Sequence, residues 1–155
     1  MRFDPELIHL KDAGGSTPLM WASENASVSK NGPNMVELFI RNGASVSAVD
    51  SNGFTALDRL CMTCGNVRAA QILLKAGAEL REEPTTKTPM TTLMMAAMNG
   101  HKELVRELLD KHDVDPRTRN LRGLDAQVYA ESNGHIVVGK MLEDKKLELL
   151  ATKAL

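Results

Sequence analysis

The sequence predicts an all-α fold: a solenoid of about four helix–turn–helix repeats with β-turn fingers between them. Three observations support this prediction. A helix-start segment recurs along the chain at a period of more than 33 residues. Each copy is followed by adjacent apolar pairs at helical spacing. The 155-residue chain is 43% apolar but 3% aromatic, and such a core suits close-packed helices better than a β-sandwich.

The first helix of each repeat, here called the inner helix, starts at a residue suited to capping. Thr17, Thr55 and Thr91 begin the first three copies and Asp125 begins a degraded fourth, at spacings of 38, 36 and 34 residues. A Thr or Asp oxygen accepts a hydrogen bond from a free N–H of the first helical turn. Pro18 follows the first cap, where its missing N–H costs little.

The second helix of each repeat, here called the outer helix, carries two adjacent apolar pairs four residues apart. This spacing places the pairs on one apolar face. The pairs are Met35-Val36 with Phe39-Ile40, Ala69-Ala70 with Leu73-Leu74, Leu104-Val105 with Leu108-Leu109, and Val137-Val138 with Met141-Leu142. We expect residues 143–150 to continue the last outer helix with a polar outer face.

Extended fingers connect the repeats. Gly43 and Gly77 end the first two outer helices, and Asp50 with Gly53 has the composition of a tight β-turn. The finger at 81–90 lacks this Asp-x-x-Gly turn, whereas residues 11–16 resemble another finger near the N-terminus. A single helical turn is expected before it, at 4–8.

These motifs resemble ankyrin repeats over roughly residues 10 to 142. The T-P-L-H-x-A-A-like inner-helix motif, the Gly-His pairs Gly100-His101 and Gly134-His135, and Gly-Ala before an Asp-x-x-Gly finger carry the resemblance. It implies a single domain over 1–155, with repeats at 14–46, 52–80, 88–116 and 122–150 and a cap or partial finger at 1–13. Stability would come from interfaces between neighbouring repeats.

The sequence departs from the family at the His of T-P-L-H, which hydrogen-bonds to neighbouring backbone. The four equivalent residues are Met20, Asp58, Met94 and Val128. We expect Met20, Met94 and Val128 to be unable to form that polar link.

Charge and composition exclude several classes of partner. The net charge is −1, with no basic excess for binding nucleic acid. No apolar run is long enough to span a membrane, and the acidic N-terminal segment does not resemble a secretory signal. We expect a monomer in the cytoplasm, or alternatively in the nucleus, that binds a protein partner.

Chemical sites are not indicated. Cys61 and Cys64 have a Cys-x-x-Cys spacing, but they fall in the C-terminal half of a helix, where the dipole disfavours a thiolate. No second Cys or Cys/His pair lies at zinc spacing. His101 and His135 occupy the family's structural Gly-His position. The sequence therefore predicts no enzyme activity, no catalytic residue, no metal site and no cofactor.

Binding is the remaining function, and the resemblance implies a concave surface of finger tips and inner helices. Transferred position by position, the candidate residues are Ser51, Asn52, Phe54, Met62, Thr63, Met98, Asn99, Leu121, Arg122, Glu131 and Ser132. Phe54 either anchors a partner or folds over the neighbouring repeat. Met62 and Met98 either contact a partner or fill gaps between helices.

Two further groups belong near this surface. Trp21, Arg59, Met95 and Tyr129 form an equivalent column, and we expect Trp21 to pack in the core, with the rim of the groove as the alternative. Arg117, Arg119 and Arg122 form a basic finger, which we expect to be solvated, with contact to an acidic partner as the alternative.

Three functional hypotheses follow. The leading one is a non-enzymatic protein-interaction module acting as an adaptor, scaffold or inhibitor. The second is a small stand-alone regulator, similar in size and repeat number to four-repeat inhibitors of cyclin-dependent kinases. The third is the ankyrin portion of a larger enzyme or effector, which an exposed apolar N-terminal face would favour.

Overall fold

The computed structural model describes residues 5–153, and this part of the chain contains eight α-helices, one 3-10 helix and no β-strand. The chain divides into two compact units, with the division between Leu80 and Arg81. Each unit holds two helix pairs. The predicted all-α fold is confirmed.

The first unit begins with the 3-10 helix Pro5–His9. Of the turn expected at 4–8, Asp4 lies outside the described residues. Its helix pairs are α1 (Pro18–Glu24) with α2 (Gly32–Arg41), and α3 (Ala56–Met62) with α4 (Val67–Lys75). The inner helices α1 and α3 pack on each other, and the outer helices α2 and α4 do the same.

The second unit repeats this arrangement. Its pairs are α5 (Thr92–Met98) with α6 (Lys102–Lys111), and α7 (Ala126–Ser132) with α8 (Ile136–Lys153). Helix α5 packs on α7, and α6 on α8. Helix α8 runs through 143–150, as the sequence predicted. The polar outer face expected there is not found, because Leu147 and Leu150 are exposed on it.

Every inner helix begins at its predicted cap. The hydroxyls of Thr17, Thr55 and Thr91 accept from backbone N–H groups three residues later, at 3.3, 3.2 and 3.2 Å. The Asp125 carboxylate accepts from the N–H groups of Gln127 and Val128. These bonds satisfy donors that a helix leaves unpaired at its start.

The expectation that Met20 and Met94 cannot form a polar link is wrong. The N–H of Thr17 lies 3.3 Å from the Met20 sulfur, and the N–H of Thr91 lies 3.4 Å from the Met94 sulfur. Both methionines are buried. A thioether is a weak acceptor, so these side chains fill the core and also close the capping box.

The predicted apolar pairs of α8 are one residue out of register. Val137 is 60% exposed, whereas Val138 and Leu142 are buried. The reason is the preceding Gly-His element: counted from Gly134, Val138 is equivalent to Leu104, which follows Gly100 by the same number of residues. The Gly-His position, rather than the apolar doublet, sets the register of the outer helix.

Candidate functional site

The turn at the tip of the second finger is held by the buried carboxylate of Asp50. Its Oδ1 accepts from the N–H groups of Asn52 and Phe54, at 2.8 and 3.0 Å. The Gly53 N–H donates to the Asp50 carbonyl at 3.0 Å, and Gly53 has a φ of 83°. The tip residues Ser51 and Asn52 are exposed.

Arg59 of α3 connects this turn to the first repeat. Its Nε donates to Asp50 Oδ2 at 2.8 Å, with a second, shorter contact from Nη2, and its Nη1 donates to Glu24 Oε1 at 2.6 Å. Burial lowers the pKa of Arg59, but the bonds to Asp50 and Glu24 outweigh it and raise the pKa overall. The guanidinium therefore stays charged and holds finger and inner helices together.

The same construction recurs in two other fingers. Oδ1 of Asp12 accepts from Gly14 and Ser16, and its Oδ2 accepts from the Trp21 indole N–H at 3.1 Å. In the second unit, Asn120 Oδ1 accepts from Arg122 and Leu124, and its Nδ2 donates to the Tyr129 hydroxyl at 2.8 Å. The finger predicted near the N-terminus is thereby confirmed.

Three of the four column residues, Trp21, Arg59 and Tyr129, therefore share a role: each side chain bonds to the finger residue nine positions earlier. The fourth, Met95, is buried in the core. The expectation that Trp21 packs in the core is wrong, since its side chain is 54% exposed. The indole N–H bond to Asp12 holds the ring at the surface. The sequence shows the nine-residue spacing, but not that it joins finger to helix.

The finger at 81–90 is closed differently, as its missing Asp-x-x-Gly predicts. The N–H of Thr85 donates to the Thr88 carbonyl at 2.9 Å, and the Thr88 N–H donates to the Thr85 hydroxyl at 3.0 Å. Arg81 Nη1 donates to the Thr88 hydroxyl at 2.7 Å. Threonine hydroxyls here replace the finger carboxylate.

In the first unit, the candidate residues divide by exposure. Ser51, Asn52 and Thr63 are exposed, whereas Phe54 and Met62 are half-buried. The Thr63 hydroxyl is tied to the Arg59 carbonyl at 2.8 Å. Half-burial of Phe54 and Met62 leaves part of each side chain available to a partner.

In the second unit, Leu121 and Arg122 take the turn positions that Ser51 and Asn52 take in the first. Leu121 is 70% exposed, Arg122 is exposed, and the Arg122 N–H is fixed by Asn120.

The other candidates of this unit lie on its inner helices. Met98 and Asn99 are half-buried at the end of α5, whereas Glu131 and Ser132 are exposed on α7. Asn99 donates to the Met95 carbonyl at 2.9 Å, so this side chain also closes a helix.

The basic finger is partly neutralised. Arg117 makes a two-point contact with Asp115, with Nε to Oδ1 at 2.8 Å and Nη2 to Oδ2 at 2.7 Å. This bond raises the pKa of Arg117. The arrangement is an exposed ion pair, whose contribution to stability is small.

The two cysteines lie in different environments. Cys61 is fully buried, and burial raises the pKa of its thiol far above the ordinary value. Cys64 is half-buried, and its Sγ donates to the Ser23 carbonyl at 3.3 Å. The burial of Cys61 therefore does not activate a thiolate. Within residues 5–153, no cluster of three or more His, Cys, Asp or Glu side chains is arranged to hold a metal ion.

An apolar groove of about 460 Å³ opens on the first helix pair. Trp21 and Ala22 line it from α1, Met35 and Phe39 from α2, and Val28 from the connecting loop. Met35 is 42% exposed and Val28 is 80% exposed.

The outer-helix positions of this groove are covered in the next repeat. Met35 and Phe39 are equivalent to Ala69 and Leu73 of α4, which are fully buried. Helix α4 packs on α2, so the first helix pair covers this face of the second. The equivalent face of the first helix pair is left uncovered and forms the groove.

Comparisons with known proteins agree with the repeat structure. A family model for ankyrin repeats matches residues 4–84 and 80–152. The chain is 32% identical over 108 residues to an ankyrin repeat and KH domain-containing protein of Caenorhabditis briggsae, an alignment that covers 70% of this chain and 4% of that protein.

Two fungal proteins are also similar. The chain is 29% identical over 141 residues to an ankyrin repeat-containing protein of Schizosaccharomyces pombe, covering 88% of this chain and 59% of the relative. It is 32% identical over 108 residues to a probable palmitoyltransferase of Saccharomyces uvarum, covering 70% and 14%. The chain thus spans only part of each of these proteins. None of the helices in the described part combines the length and apolar character needed to cross a bilayer.

Proposed function

The chain belongs to the ankyrin repeat family, and on that premise we propose that it is a non-enzymatic protein-interaction module. It acts as an adaptor, scaffold or inhibitor in the cytoplasm or nucleus, and its finger tips and inner helices bind the partner. The ankyrin repeat is a non-catalytic interaction fold, and specificity in such a fold depends on the side chains it presents.

One observation carries this proposal: the same turn presents different side chains in the two units. Asp50 and Asn120 each fix two backbone N–H groups of their finger. The exposed tip is Ser51-Asn52 in one case and Leu121-Arg122 in the other. A preformed turn loses little conformational freedom on binding, so its tip side chains can contribute their contact energy in full.

Affinity capture with matched variants tests the placement of the binding surface. The substitutions Asn52→Arg and Leu121→Asp change exposed side chains. The hydrogen bonds that hold the two turns join backbone N–H groups to the side chains of Asp50 and Asn120, so folding should be preserved. We expect each to reduce recovery of the partner by about tenfold, the effect of losing roughly 1.4 kcal/mol of interface contact.

The control variants are Lys75→Ala and Lys140→Ala, which alter exposed residues of the outer helices α4 and α8. They should recover the partner as well as the natural chain does. Equal recovery by the tip variants and these controls would place the partner elsewhere on the molecule.

A second candidate is the ankyrin portion of a larger protein, and the open groove on α1 and α2 favours it over a stand-alone regulator. An apolar face of this kind is normally covered by a neighbouring repeat. The chain spans 4% and 14% of two longer relatives, which agrees with this candidate.

An added helix pair tests the second candidate. A second copy of residues 12–49, carrying Trp21→Phe, would be inserted between Lys11 and Asp12. We expect a higher Tm and a blue-shifted emission from the original Trp21, the only tryptophan. An unchanged emission spectrum would show that a helix pair does not cover the groove.

A further inference from the structure

The chain contains five Asn-Gly dipeptides, a feature that the proposed function does not use. They are Asn31-Gly32, Asn42-Gly43, Asn52-Gly53, Asn99-Gly100 and Asn133-Gly134. An Asn followed by Gly is prone to deamidation, because a glycine has no Cβ to hinder approach of its nitrogen to the Asn side chain. The structure separates these five sites.

Three of the asparagines are tied back to their own helix. The carboxamides of Asn42, Asn99 and Asn133 donate to carbonyls four residues earlier, at 2.7, 2.9 and 2.8 Å. These bonds point each side chain back along the helix, whereas the glycine nitrogen follows it. Attack at these sites requires the carboxamide bond to break first.

Asn52 is not restrained in this way. Its side chain is exposed at the finger tip, and its carboxamide makes no hydrogen bond to any residue of 5–153. Attack requires the Gly53 N–H to leave the Asp50 carbonyl and the turn to loosen against the Asn52 and Phe54 N–H bonds to the Asp50 carboxylate. All of these bonds lie in the finger, outside the helices.

Asn31 shares the exposed carboxamide but precedes a packed glycine. A Cβ on Gly32 would lie 2.2 Å from the Ala26 carbonyl oxygen, so this backbone is in close contact with the loop before it. Rotation of Gly32 toward Asn31 would have to displace that loop. Asn31 is thus the slower of the two exposed sites.

We propose that Asn52 is a site of spontaneous deamidation in the folded protein. The Gly53 nitrogen loses its proton and attacks Cγ of Asn52, a C–N bond forms, and the carboxamide nitrogen leaves as ammonia. Water then opens the cyclic imide at either carbonyl, giving aspartate or isoaspartate. Water is the sole co-reactant, and no oxidation state changes.

The product alters the tip in two ways. A neutral carboxamide becomes a carboxylate two residues from Asp50, and isoaspartate adds a methylene to the backbone inside the turn. If the tip binds a partner, a consequence that rests on the proposed function, the modification changes the charge of that surface.

Peptide mapping by mass spectrometry tests the proposal without any partner. The full chain is incubated at mildly alkaline pH, folded in buffer and unfolded in urea, and aspartate and isoaspartate are quantified at each Asn-Gly site. In the folded protein we expect Asn52 to react about five- to tenfold faster than Asn42, Asn99 and Asn133, since each of these must first break a carboxamide hydrogen bond of roughly 1 to 1.4 kcal/mol.

Urea supplies the internal control, because all five sites should then react at similar rates. In an Asn52→Gln variant, the acidic product that forms fastest should be missing on ion exchange. The reason is that glutamine would have to close a cyclic imide with one more ring atom. Modification of the three tied asparagines as fast as Asn52 in the folded chain would overturn the proposal. Protection of Asn52 when folded, or a faster reaction at Asn31, would do the same.

Discussion

At the residue scale, the contact between Gly100 and His135 explains the glycine of one Gly-His pair and the histidine of the next. A Cβ on Gly100 would lie 2.4 Å from Nδ1 of the His135 ring, and Gly100 has a φ of 69°. Glycine at this place therefore meets two requirements, a left-handed backbone and room for an imidazole. The structural role predicted for His135 follows from this contact.

Two alanine substitutions separate these requirements. In Gly100→Ala the new Cβ would clash with the His135 ring, and the residue would also keep an unfavourable positive φ. In Gly134→Ala the φ of 79° is similarly unfavourable, but no atom lies within 4 Å of the new Cβ. We expect Gly134→Ala to lower the free energy of unfolding by about 1 kcal/mol and Gly100→Ala by about 1 to 2 kcal/mol more. Urea denaturation measures both, and equal losses would mean that the ring moves aside freely.

Asp113 presents the opposite case, a residue other than glycine with a φ of 50° after α6. This is the place where the earlier repeats use glycine. We expect Asp113→Gly to raise the free energy of unfolding by about 0.5 kcal/mol, because relief of backbone strain exceeds the entropy lost. Asp113→Ala serves as control and should give no gain in the same urea titration.

At the element scale, the fingers are fixed to the inner helices by side chains rather than by a β-ladder. Asp50 is the clearest case, since its side chain is fully buried and pairs with Arg59. Burial raises the pKa of Asp50, but hydrogen bonds from the Phe54 N–H and from Arg59 outweigh this and lower it below its ordinary value of 3.8.

Acid should therefore weaken the second finger. A depressed pKa contributes stability that is present above the unfolded-state pKa near 4 and is lost as pH falls through the folded-state pKa. We expect Asp50→Asn to cost about 2 kcal/mol at neutral pH, and its difference from the natural chain to shrink between about pH 5 and 2.

Denaturation curves at several pH values measure this difference. Asp115→Asn is the matched control, since it removes the same charge from the exposed pair with Arg117 and should cost less than about 0.5 kcal/mol. A pH-independent cost for Asp50→Asn would show that the carboxylate is not ionised in the fold.

At the scale of the whole molecule, most of the stability of each unit comes from packing between its helix pairs. The core of the first unit includes Leu57, Leu60, Cys61 and Leu73, all fully buried, where α3 and α4 meet α1 and α2. A repeat of this kind buries little by itself, so its helices should open together.

The thiols report this opening. A chromogenic disulfide reagent should label the half-buried Cys64 in the native protein, whereas the buried Cys61 should react only when its unit unfolds. In Cys64→Ser, the slow phase alone should remain and should speed up with urea. Rapid labelling of both thiols would show that the first unit opens locally.

The sequence by itself determined the class of fold, because caps at Thr17, Thr55 and Thr91 and apolar outer-helix faces are local signals. The resemblance to ankyrin repeats also named Ser51 and Leu121 as surface positions, and both side chains are exposed. It placed Val137 on the buried face, although Val137 is exposed. An apolar pair alone is compatible with two helix registers, and the contact between Gly100 and His135 fixes one of them. Only the tertiary structure decided that Trp21 lies at the surface, that Arg59 joins finger to helix, and that the groove on α1 and α2 is open. Each depends on how a finger folds back on its inner helix or on how one helix pair packs on the next, and local sequence signals do not specify that packing.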